Sequence, residues 1–245
     1  MCLWVYGPVA QPGRCFRIRK RLPYKALFDL GQQVAECSNR SRPTHGDCMR
    51  LNVTIWLIII NVIVYVLELI FGNVFLTLFS LIPNLALNGY YWQFFTYMFL
   101  HSPADPLHIF LNMFALLMFG PRVELAMGSK KFIIFYLICG IGSSLLFLPL
   151  SGDMNTPMLG ASGAIFGVLT AFGIMFPTTT VFVMGYIPMP AIFAVAIFGF
   201  LELFYGVAGL EPGIANFGHL GGMITALILL KFFGFRRKRI RYFWE

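Results

Sequence analysis

Charge is scarce in this sequence. Asp, Glu, Lys and Arg together make up 11% of its 245 residues, where a soluble domain carries about 25%. So few charged side chains cannot cover a water-facing surface, which excludes an ordinary soluble globule and implies solvation by lipid. Metal-site spacing is also missing. The five cysteines, Cys2, Cys15, Cys37, Cys48 and Cys139, form no C-x-x-C pair and no cluster with the four histidines, so no metal and no cofactor is expected. The opening MCLWVYGPVAQPG has no basic region before its apolar part, and Pro8, Pro12 and Gly13 break it. That is not the pattern of a cleaved signal peptide, so the first span is expected to act as the insertion signal.

Lys and Arg are absent from two long stretches, Leu51 to Pro121 and Phe132 to Leu230. Nine of the 18 basic residues lie in the first 50, three are Arg122, Lys130 and Lys131, and six run from Lys231 to Arg241. Clusters that flank apolar stretches argue against a nucleic-acid face and follow the positive-inside rule. The partner implied is the lipid bilayer.

What is present is a series of apolar spans. Residues 1–48 read as a basic, Pro-containing, disordered cytoplasmic tail, residues 49–235 as one membrane domain and residues 236–245 as a second basic tail. The run VTIWLIIINVIVYVLELIF, 53–71, is long enough to cross a hydrocarbon core of about 30 Å. Residues 73–106 are apolar and aromatic but interrupted by Pro83, Asn84, Asn88, Gly89 and Pro103. This pattern predicts short helices at the membrane interface, anchored by Tyr90, Tyr91, Trp92 and Tyr97. Further spans are expected at about 107–119, 132–150, 159–177, 181–204 and 214–233. Six spans put both basic tails and Arg122, Lys130 and Lys131 on the cytoplasmic side. The base-free segments 73–106, 151–157 and 205–213 then face out. The fold class is all-α: a six-transmembrane-helix bundle with an interfacial loop between helices 1 and 2. A compact six-span core suggests a bacterial plasma membrane.

Polar groups inside such spans are costly and point to function. His101, His108 and His219 lie in or beside apolar segments, and Asn112 follows His108 by one helical turn, on the same face. Ser162 sits in GASGAIFG and His219 in NFGHLGG, both rich in small residues. Gly163-x-x-x-Gly167 and Gly218-x-x-x-Gly222 let helices approach closely. Such motifs serve packing more often than chemistry. Their combination with a serine, a histidine on a span of matching orientation and a His/Asn pair is what acyl transfer requires. If the fourth and sixth spans pack together, Ser162 and His219 come within hydrogen-bond reach, with Ser162 near the positive end of its helix.

These residues resemble the rhomboid family of intramembrane serine proteases. Gly160-Ala161-Ser162-Gly163 is similar to the family's nucleophile motif, Ala215 to Gly222 to its A-x-x-x-H-x-x-G, and His108-Ile-Phe-Leu-Asn112 to its H-x-x-x-N. His101 resembles an extra upstream histidine, with a longer spacing to His108 than usual. Glu124 to Gly128 resembles the E-x-x-x-G that closes the second span. Phe166 stands where the family often has an aromatic one turn after the nucleophile, there to pack on the His219 ring. Trp92-Gln93 replaces a frequent Trp-Arg.

The resemblance implies a dyad. Ser162 is the nucleophile and His219 the general base and acid, while His108, Asn112 and the Ser162 amide bind the oxyanion. His101, Gly160, Gly163, Phe166, Gly222 and Glu124 support them. No buried acid is assigned to complete a triad: Glu68 and Glu202 lie near the outer ends of spans one and five, and neither is given that part. The implied substrates are single-pass membrane proteins cut near the outer face, and the fifth span, with Phe193, Phe198, Phe200 and Phe204, is the implied lateral gate. The alternatives are a catalytically inactive rhomboid-like escort that binds membrane proteins and, more remotely, a transporter, which would not need Ser162.

Overall fold

The computed structural model describes residues 52–183, 186–209 and 216–234. The chain divides into two units, Met1–Arg50 and Leu51–Glu245, and every described residue belongs to the second. The expectations for the two basic tails, for four of the five cysteines and for Ala215 fall outside the described residues.

The described residues are almost entirely helical. In chain order the elements are α1 (Val53–Phe79), α2 (Pro83–Leu87), α3 (Gln93–Thr96), a 3-10 turn (Tyr97–Phe99), α4 (Pro106–Met127), α5 (Ser129–Leu150), α6 (Ser162–Met175), β1 (Thr180–Val183), β2 (Ile187–Pro190), α7 (Ala191–Ala208) and α8 (Asn216–Phe232). Helices α1, α4, α5 and α7 are long and apolar enough to cross a membrane, whereas α6 and α8 are apolar but shorter, at 14 and 17 residues.

Three boundaries differ from expectation, each for a physical reason. The first helix does break where the first span was expected to end, at Gly72, whose φ of 59° and ψ of −140° are open to glycine. Helical structure then resumes to Phe79, within what was read as interfacial loop. The second span was expected to stop near Pro121, yet α4 continues through it to Met127. A proline costs a helix one hydrogen bond and a kink without always ending it. The stretch 181–190 was read as the start of the fifth span. It is an antiparallel hairpin instead, with Thr180 opposite Pro190 and Val183 opposite Ile187. Pro188 and Pro190 bar an α-helix there, and short apolar runs do not distinguish strand from helix.

The segment between α1 and α4 is pinned rather than loose. Trp92 Nε1–H donates to the Leu78 carbonyl at 2.8 Å. The fully buried Gln93 accepts from the Ile82 N–H at 3.1 Å and donates to the Thr77 carbonyl at 3.0 Å. The Gln that stands in place of Arg therefore ties the end of α1 to the loop by its amide.

Glu124 does the same at the opposite end of the bundle. Its carboxylate accepts from the backbone N–H groups of Val53 and Thr54 at 2.8 and 2.9 Å, and from the hydroxyls of Thr54 and Ser129 at 2.7 and 2.6 Å. It thus caps the N-terminus of α1, satisfying donors that the helix cannot satisfy itself, and fixes the α4–α5 corner where Gly128 turns the chain with φ 81°.

Helix α6 lies at the centre. It packs against α4, α5, α7 and α8. Apolar burial gives helices little reason to associate in lipid, so close packing must. Here it depends on glycine. A Cβ on Gly222 would collide with the Gly163 carbonyl oxygen, and one on Gly167 would meet Cys139 Cβ and Sγ at 2.7 Å. The backbones of α6 and α8 therefore touch along the two small-residue faces that the sequence marks.

Candidate active site

Ser162 is the first residue of α6. It is delivered there by a tightly held segment. Leu81 and Met158 exchange backbone hydrogen bonds of 2.9 Å each way, and the Gly160 N–H donates to the Tyr97 carbonyl at 3.0 Å. Tyr97, itself fully buried, donates its hydroxyl to the Gly140 carbonyl at 2.7 Å. The nucleophile candidate is thus referenced to the segment between α1 and α4 and to α5 before its own helix begins. Sequence reasoning did not single out Tyr97 for this. It read it as an interfacial anchor, and nothing local distinguishes an anchoring tyrosine from a buried strut.

The close crossing of α6 and α8 brings His219 to Ser162. His219 Nε2 lies 2.7 Å from Ser162 Oγ. The Phe166 ring, one turn into α6, stacks on the imidazole with centroids 4.4 Å apart and planes 11° from parallel. His219 is therefore held on one face by an aromatic ring and at Nε2 by a hydroxyl.

The other candidates gather at the start of α4. The rings of His101 and His108 meet edge to face, with centroids 5.2 Å apart, so the long spacing between them is taken up by the intervening turn. His101 is fully buried, and its backbone N–H donates to Glu68 Oε1 at 2.8 Å. Burial, with the neighbouring His108, pushes its pKa down to about 3, so its ring is neutral. Gly160, with φ 127°, marks how close His108 stands to the nucleophile: a Cβ there would sit 2.9 Å from His108 Nε2 and 3.6 Å from Ser162 Oγ. One small volume is thus bordered by the His108 imidazole, the Ser162 hydroxyl and the first amides of α6, which lack intrahelical partners. Asn112, one turn on, is buried, and its Nδ2 donates to the His108 carbonyl at 3.1 Å, leaving a second N–H on the same nitrogen.

Glu124 and Gly128 stand apart from this group, at the α1–α4–α5 corner, where they shape the fold. Gly163 and Gly222 make the helix crossing. Glu202 corrects the sequence reading. It was given no part, yet its Oε2 lies 3.0 Å from His219 Nδ1, with both side chains largely buried, 12% and 16% exposed. The separation is that of a hydrogen bond, although the alignment is not that of a straight one, and neither atom bonds to another described residue. An acid inside an apolar span was the available signal.

Among the described residues no group of three or more His, Cys, Asp or Glu is placed to hold a metal ion. The arrangement offers a hydroxyl, an imidazole hydrogen-bonded to it, and a second imidazole close by at His108, groups of the kind nucleophilic acyl transfer uses.

Comparison with known proteins gives the family. The family model described as Rhomboid domain matches residues 88–236, more than half of the chain. The chain belongs to the rhomboid family. Its relatives include RHOMBOID-like protein 6, mitochondrial, and RHOMBOID-like protein 1 of Arabidopsis thaliana. Each is 33% identical and aligned over 56% of this chain, and the alignments cover 42% and 33% of those proteins. The chain therefore spans well under half the length of these two rhomboids. Rhomboid protease AarA of Providencia stuartii is 29% identical over 202 residues, 72% of this chain and 70% of that protein. Family membership and the apolar helices together make this a multi-pass integral membrane protein.

Proposed function

We propose that this protein is an intramembrane serine endopeptidase that cleaves transmembrane segments of single-pass membrane proteins near the outer face, through a Ser162–His219 dyad. The observation that carries the reading is the 2.7 Å contact between Ser162 Oγ and His219 Nε2 at the first residue of a buried helix. Ser162 attacks the scissile carbonyl while its proton passes to His219 Nε2. The tetrahedral oxyanion takes hydrogen bonds from the Ser162 amide, His108 and Asn112. Collapse returns the proton to the leaving amine, and water then repeats the sequence on the acyl-enzyme.

The lengths of the helices support a site beneath the surface. At 14 residues α6 is about 21 Å long, against a hydrocarbon core of about 30 Å. If α6 and α8 complete six crossings, residues 49–235 form the protease domain. Residues 1–48 and 236–245 are then basic tails that share the cytoplasmic side with Arg122, Lys130 and Lys131. Ser162 then lies below the outer face. Relatives from plants, one of them named mitochondrial, stand beside a bacterial protease, so the likeness does not favour a bacterial plasma membrane over others.

The test is cleavage in proteoliposomes of a model single-pass substrate whose outer half contains Gly, Ala and Ser, residues whose helices open easily. Wild-type protein cleaves it, and Ser162→Ala reduces the rate by about 10⁴-fold or more while the protein stays folded. Cleavage that survives the substitution removes the dyad. Substrate binding with no cleavage by either protein makes the chain an escort instead.

A further inference from the structure

We infer that Glu202 is a positioning residue for the base, so that the Ser162–His219 pair works as a triad. The inference rests on the protease reading above. For His219 Nε2 to accept the Ser162 proton, its own proton must sit on Nδ1. The group facing Nδ1 is the Glu202 carboxylate, at 3.0 Å. A carboxylate there favours the required tautomer. When Nε2 takes up the second proton, the carboxylate faces the resulting imidazolium in a largely dehydrated setting, where the charge otherwise has little to stabilise it. Glu202 takes no proton in this scheme, so the proton count of the dyad mechanism is unchanged. The Phe166 ring covers one face of the imidazole, and the Glu202 carboxylate stands at its Nδ1 edge. The geometry also gives a reason for an acid on α7, a helix whose buried residues are only Ala191 and Ala194. A carboxylate on such a helix is expensive in lipid unless it serves a partner.

The experiment measures inactivation of the purified full-length protein by a fluorophosphonate probe, which reports how readily Ser162 attacks. Wild type, Ser162→Ala, Glu202→Gln, Glu202→Asp and, as a neighbouring control, Leu203→Ala are compared. For Glu202→Gln the maximal inactivation rate falls by about 10- to 100-fold with the probe's half-saturation unchanged, part of what a positioned base contributes. Glu202→Asp recovers most of the loss, and Leu203→Ala matches wild type. A merely structural role for Glu202 predicts instead equal loss for Gln and Asp, accompanied by a lower unfolding midpoint, and that result overturns the inference. So does a wild-type rate in Glu202→Gln. Should wild type label no faster than Ser162→Ala, the protease reading itself fails and takes this inference with it. Labelling that depends on Ser162 but not on Glu202 leaves the dyad standing alone.

Discussion

Of the 14 residues of α6 nine are buried, while of the 18 residues of α7 two are. Both helices are apolar, and both contribute a polar side chain to the site. They differ in the size of what they present. Helix α6 offers Gly163, Ala164, Gly167, Ala171 and Gly173 to its neighbours, so four helices close around it. Helix α7 offers Phe193, Phe200 and Phe204, each about half exposed or more, to lipid. Hydrophobicity does not separate a central helix from a peripheral one in a membrane, because lipid and protein are equally apolar surroundings. Close packing does. The residue that needs fixed surroundings, Ser162, is on the helix built of small residues.

The comparison can be broken or sharpened by substitution. Gly222→Val drives a side chain into the Gly163 carbonyl, where there is no flexible group to yield. It is expected to cost about 4 kcal/mol or more, as severe overpacking does, read as loss of folded protein in a detergent-unfolding titration. Near wild-type stability would mean that α6 and α8 do not touch as described. Gly160→Ala adds a methyl 2.9 Å from His108 Nε2 at a φ that L-residues avoid. A penalty of about 1–3 kcal/mol is expected there, together with a loss of cleavage larger than the loss of stability. Wild-type cleavage would mean that the volume between His108 and Ser162 is not used. Phe166→Leu removes the ring stacked on His219 and is expected to lower the cleavage rate by about threefold to tenfold, in line with an aromatic contact of about 0.5–1.5 kcal/mol. Phe200→Ala on α7, where the side chain is 65% exposed, is expected to change stability by less than about 0.5 kcal/mol. A larger loss would place α7 in a packed interface and end the contrast.

Much of this was legible beforehand because the signals were chemical. Ser162, His219, His108 and Gly160 were marked by polarity or smallness against an apolar background, and the structure brings these four together. The kink at Gly72 coincides with the expected end of the first span. What was not legible depended on three-dimensional context. Pro121 reads as a stop, but a helix already held at both ends continues past it. The 180–190 hairpin has the same apolar character as a span, and only pairing distinguishes it. Glu202 was visible as an acid, yet its partner lies on another helix, and the rotation of α7 that aims it at His219 is a matter of packing. Gln93 read only as a replacement for Arg, and its backbone partners Ile82, Thr77 and Leu78 come from the end of α1 and the turn after it.

The bridge between Leu81 and Met158 has a consequence for how the protein is assembled. Residues 152–157 are exposed, and just beyond them the chain is already stitched to the interfacial segment by two-way backbone bonds and by Gly160 on Tyr97. The peptide link across that stretch is then a tether rather than a template. A cut there would leave every one of those backbone bonds intact, since none of them runs through the severed stretch.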